Sequence, residues 1–193
     1  MLATILLLGL VTIAAVTDIR QHKIYNATTY PGILAALGIN ALGEALLAFN
    51  GASPELLARW LGFVGLVECV LGLVACGFVM LVCYVMFRVG GGDVKLLTMM
   101  GAFLGTEKGI EAMLWTFVLG GCMGLIVLIW RVGPWRIVRG VFRQLMWAVR
   151  LGRFAPLSPE ERRELRPPLF LAPCALAAAA IVRFSLLDWL TTM

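Results

Sequence analysis

The chain has 193 residues, of which 61% are apolar and 14% charged, and its mean hydropathy is +0.94. Soluble domains are nearer half apolar and a quarter charged, so a soluble globular fold is excluded. The net charge of +5 does not point to nucleic acid, because the charges sit between apolar runs, where they set membrane orientation.

Six apolar runs follow one another at about 1–17, 28–49, 60–87, 94–106, 110–130 and 168–190. A span needs roughly 20 mainly apolar residues. The expectation is therefore all-α: a polytopic membrane protein with about six transmembrane helices, forming a single domain over 1–193. The first run lacks a basic leading region and reads as a retained span rather than a cleaved signal peptide. The third run carries Gly62, Gly65, Cys69, Gly72, Cys76 and Cys83 at steps of three, four or seven. They share one helix face, where small side chains let backbones approach closely in lipid. The 5 cysteines form no C-x-x-C pair, so neither a zinc site nor a redox motif is expected, and no cofactor.

Orientation follows from the basic residues. With the N-terminus outside, the inner loops hold Arg20, Lys23, Arg88, Lys95 and the nine arginines of 131–167, against Arg59, Lys108 and Arg183 outside. That bias places both termini outside. The 131–167 loop is the only long one. Its first part mixes Arg136, Arg139, Arg143 and Arg150 with apolar residues at three- and four-residue spacings. This describes a basic amphipathic cytoplasmic segment on an anionic inner leaflet, the alternative being a docking surface for a partner.

Ionisable residues at membrane depth cost roughly 2.5–3.5 kcal/mol on insertion scales and are functional candidates for that reason. Asp18 ends the first run and Asp93 follows the third. Two spans separate them, so both lie on the same side, and the charge count makes that side the cytoplasm. Gly90, Gly91 and Gly92 precede Asp93. Three glycines weaken a helix and expose backbone polar groups, which is tolerated at that depth beside a wet cavity or inside protein. Two carboxylates about 4 Å apart repel by roughly 4 kcal/mol at an effective dielectric of 20. Such a pair shares one proton over a broad pH range, as acid/base catalysis by two carboxylates requires. Taken singly, each aspartate has a plainer reading: Asp18 as a polar helix end, Asp93 as a cap or a partner of Lys95. Glu68 reads as structural, and His22, the single histidine, as a surface loop residue.

These residues resemble the motifs of a known family. Asp18-Ile19-Arg20-Gln21-His22-Lys23-Ile24-Tyr25-Asn26 is similar to the first motif of type IV prepilin peptidases. Gly90-Gly91-Gly92-Asp93-Val94-Lys95-Leu96-Leu97 is similar to their second, Gly-x-Gly-Asp-x-Lys-Leu. Arg166 to Pro173 more loosely resembles the proline-containing entry to their last span. Tyr25 stands where a proline is usual.

The resemblance implies an aspartic endopeptidase of the cytoplasmic membrane, acting at its inner face on prepilin or pseudopilin precursors. It would cut after the glycine that ends a basic leader. Asp18 and Asp93 would be the catalytic pair, with Gly90, Gly92, Lys95 and Arg20 supporting them or contacting substrate, and no metal. The first inner loop is short and lacks the paired C-x-x-C domain of bifunctional members. The size is similar to that of tight-adherence (Flp-pilus) peptidases without methyltransferase activity. Two other readings compete: a presenilin-like intramembrane protease, and a non-enzymatic membrane subunit of a secretion or pilus machine.

Overall fold

The computed structural model describes residues 1–50, 53–87, 89–151 and 171–184. Among these the chain is helical and no strand occurs. The helices are α1 (Leu2–Gln21), α2 (Asn26–Asn50), α3 (Pro54–Trp60), α4 (Leu66–Phe87), α5 (Gly91–Leu104), α6 (Thr106–Val132), α7 (Pro134–Leu151) and α8 (Leu171–Arg183). Four of them, α1, α2, α4 and α6, are long and apolar enough to cross a membrane. The fourth apolar run becomes α5, only 14 residues and about 21 Å long. The last run shows 13 helical residues among those described. The third run begins later than its hydropathy suggests. Residues 61–65 are a loop, and the short α3, unsignalled by hydropathy, precedes it.

The chain divides into two compact units, Met1–Val118 with Phe170–Met193, and Leu119–Leu169. The first is a bundle around α5. From Leu96 to Leu104 every residue of α5 except Thr98 is buried. A helix apolar all round must be enclosed by others, and α5 is. On α1 the buried residues are Ala3, Leu7, Val11, Ala14, Ala15 and Asp18, on one face at three- and four-residue steps.

α4 and α5 run antiparallel with their backbones almost touching. A Cβ added to Gly72 would collide with the backbone of Gly101 and Gly105, and one on Gly101 would lie 2.8 Å from the Cys76 sulfur. Cys69 and Cys76 are fully buried on the same α4 face. Cys69, Gly72 and Cys76 thus do what such faces do in lipid, where close packing replaces the missing hydrophobic drive, whereas Gly62 and Gly65, read from the sequence onto the same helix face, lie in the 61–65 loop with positive φ.

One end of this bundle is tied by polar side chains that reach helix N-termini from elsewhere. Asn40 is buried, and its Oδ1 accepts the Val64 and Gly65 N–H groups at 3.0 and 3.2 Å. Glu44 Oε1 accepts the Leu66 N–H at the head of α4, and Glu68 Oε2 accepts the Thr106 N–H at the head of α6, both at 3.3 Å. Glu68 is thus structural. At the same end the Met1 amine donates to the Arg59 carbonyl, and Arg183 Nε donates to Thr4 Oγ1.

Replacing Asn40 with Ala leaves two N–H groups unpaired, and each unmade bond costs about 1–3 kcal/mol. The expected outcome is a loss of about 2–6 kcal/mol by this reckoning, read as a lowered unfolding midpoint in detergent. Asn40→Asp, which keeps an accepting oxygen, should retain more stability than Asn40→Ala.

Candidate active site

The opposite end of the bundle collects the residues that the sequence singled out. α1 delivers Asp18 in its last turn. The helix then stops at His22, which adopts a left-handed conformation and donates its N–H to the Asp18 carbonyl at 2.9 Å. Residues 23–25 are irregular and α2 starts at Asn26. α5 delivers Asp93 in its first turn, with the Asp93 and Val94 N–H groups closing on the Gly90 carbonyl.

These segments enclose a cavity of about 410 Å³ lined by Asp18, residues 22–26 and residues 90–93. That volume is in the range of ligand clefts. The two aspartates, separated by two long helices in the chain, share its wall.

Their surroundings differ. Asp18 is buried, and its Oδ2 accepts the Ala172 N–H at the head of α8 at 3.3 Å. The N-terminus of a helix carries unpaired donors and the positive end of its dipole, so this seat suits a carboxylate. Asp93 is half-buried, outside the four long spans. Burial first, and the Asp18 charge second, push its carboxyl up to about 6. Desolvation and a neighbouring like charge both disfavour the ionised form. The asymmetry is chemically useful: one carboxylate sits at a helix head, and the other holds its proton to a higher pH.

The glycines of 90–93 have separable reasons. A Cβ on Gly92 would lie 2.9 Å from Ile24 Cβ, so the glycine lets the turn after α1 approach the head of α5. A Cβ on Gly90 would lie 2.9 Å from an Asp93 carboxylate oxygen. One on Gly91 would meet only a Tyr84 ring carbon, at 3.9 Å.

Lys95 does not turn to Asp93. Its Nζ donates to Asn26 Oδ1 at 2.8 Å and lies 5.0 Å from the centre of the Tyr30 ring. It ties the start of α2 to α5, and the cation over the ring adds electrostatic attraction. Arg20 is exposed and takes no part in the cavity wall. His22 is exposed, as a surface residue would be, yet lines the cavity. Tyr25 Oη donates to Gln21 Oε1, a bond along the turn that a proline could not make.

Three participants were not foreseen: the head of α8, Asn26 as the Lys95 acceptor, and Tyr30. Asn26 and Tyr30 sit on the first turns of α2, three and four residues being the spacing of one helix face, which was the available signal. The α8 contact had none beyond the proline-rich entry to the last run. Among the described residues no three of His, Cys, Asp or Glu gather as a metal-holding group.

A model of the type IV leader peptidase family matches residues 5–125, a stretch that includes both aspartates. No curated protein and no solved structure matches the chain.

The glycine geometry predicts an order of damage. Gly92→Ala and Gly90→Ala should each lower activity at least tenfold with the protein still folded, while Gly91→Ala stays within about threefold of wild type. Parallel turnover and thermal-unfolding measurements on the three variants check it.

Proposed function

The chain belongs to the type IV leader peptidase family, and from that premise we propose that it is an aspartic endopeptidase whose catalytic pair is Asp18 and Asp93. The observation that carries this reading is that both carboxylates line one cavity in unequal surroundings. Asp18, seated on the α8 N-terminus, acts as general base and takes a proton from water. The water oxygen bonds to the scissile carbonyl carbon. Asp93, protonated, donates to the carbonyl oxygen as charge develops there. The tetrahedral intermediate collapses, the C–N bond breaks, and the amine leaves with a proton from the pair. General acid/base steps of this kind contribute about 10²–10⁴-fold each.

The substrate class proposed is a prepilin or pseudopilin precursor, cut after the glycine that ends its basic leader. Only residues 22–25 join α1 to α2. That supports a peptidase without the inserted methyltransferase domain, similar to the tight-adherence (Flp-pilus) type. We further propose six crossings of the inner membrane, both termini outside and the cavity facing the cytoplasm. The support is the basic-residue bias and the placing of Asp18, Asp93 and the head of α8 at one end of the bundle. Lys95 serves as a positioning residue through Asn26, and Gly90 and Gly92 as the space that the cavity needs.

The test is cleavage of a co-expressed short Flp-type prepilin, followed by its size shift. Cleavage after the leader glycine is expected in the wild type, with a loss of at least about 10²-fold in Asp18→Asn and in Asp93→Asn. Cleavage that survives both substitutions would sink the two-aspartate mechanism.

The pH dependence has a definite sign. Asp93 is held protonated up to about 6, and the proposed chemistry needs that proton. Thus kcat/KM, which reports the free enzyme, should fall as pH rises through about 6, approaching tenfold per unit beyond it. A profile flat from pH 5 to 8 would contradict the assigned role.

A further inference from the structure

The second unit holds a helix that the proposed chemistry does not use. α6 ends at Val132, and the Gly133 N–H closes its last turn on the Ile129 carbonyl at 3.0 Å. Gly133 has φ +85, a conformation that residues with a Cβ rarely adopt, and Pro134 opens α7 at once. One residue therefore separates the end of a membrane-length helix from the start of α7. Trp130 and Trp135 flank the break, both largely exposed. Tryptophan at that position is characteristic of a membrane–water interface.

α7 is 18 residues long, about 27 Å. It is not among the helices apolar enough to cross a membrane. Its sequence makes two stripes. Trp135, Val138, Phe142, Leu145 and Val149 recur at steps of three and four, and all five are exposed, Trp135 by 73% and Val149 by 77%. Arg136, Arg139, Arg143 and Arg150 repeat that pattern one residue later, about 100° round the helix. α7 contains no acidic residue. With the apolar stripe facing acyl chains, the arginine stripe comes out to the side, level with the headgroups. A helix resting in a protein groove has no need of four cations along one edge. A helix lying in an anionic leaflet does, because apolar burial and attraction to lipid phosphates add.

We propose that α7 is an in-plane membrane helix that binds anionic phospholipid headgroups through its arginine stripe. This reading is independent of the catalytic one, and its failure would leave the peptidase assignment standing.

The experiment is hydrogen exchange on the full-length protein in nanodiscs of phosphatidylcholine alone and of phosphatidylcholine with about 30% phosphatidylglycerol. Amides of 135–151 should exchange at least fivefold more slowly with the anionic lipid, while those of α1 exchange alike in both. The triple variant R136Q/R139Q/R150Q should lose the difference and keep the α1 protection that marks a folded bundle. Equal exchange of 135–151 in the two compositions, fast or slow, would overturn the proposal. So would a lipid-charge effect that persists undiminished in the triple variant, since the arginines would then not be its cause.

Discussion

Two carboxylates at one end of an apolar bundle lose hydration and repel each other, and the structure around them offsets that cost unequally. Asp18 receives a backbone N–H from the head of α8. Asp93 receives no such donor in what the structure shows of it, and its acidity falls instead. A charge in a poorly solvated site is compensated, or its group becomes less acidic: Asp18 has the backbone donor, and Asp93 keeps its proton up to about 6. This division is what a water-activating pair needs, and it depends on the head of α8 reaching Asp18.

The same device recurs at the far end. The heads of α4 and α6 are satisfied by Glu44 and Glu68, and the loop before α4 by Asn40. In water a helix start is commonly capped by its own preceding Ser, Thr, Asp or Asn. Here Ser53 makes no cap bond to α3, and Gly90 has no side chain with which to cap α5. Instead, acids and an amide from neighbouring helices fill the role. The bundle is held laterally by close glycine and cysteine contacts and at its ends by these cross-helix caps.

Glycine has two distinct uses in the chain. Gly72 and Gly101 let α4 and α5 meet backbone to backbone, which encloses α5 and fixes where Asp93 stands. Gly90 and Gly92 clear space at the cavity itself, one for the Asp93 carboxylate and one for Ile24. Both uses concern what a Cβ would strike, and neither is a matter of flexibility. Lys95 completes the enclosure by tying α5, which bears Asp93, to Asn26 and Tyr30 of α2, the helix that follows the turn after Asp18.

The sequence alone determined the all-helical membrane character, through hydropathy, and the placing of Asp18 and Asp93 at one end of the bundle, through the parity of the runs between them. It also determined the small-residue face of α4 and the two stripes of α7, because helical periodicity is a local property readable at three- and four-residue spacing. What it could not decide were relations between distant segments. That Ala172 at the head of α8 would meet Asp18, that Lys95 would turn from Asp93 to Asn26, and that Arg20 would lie outside the cavity wall depend on how helices rotate and slide against one another. The short α3 and the late start of α4 were hidden for a related reason. Hydropathy measures how apolar a segment is, whereas helix ends are set by which neighbouring side chain reaches the free N–H groups, and that is known only once the bundle has packed.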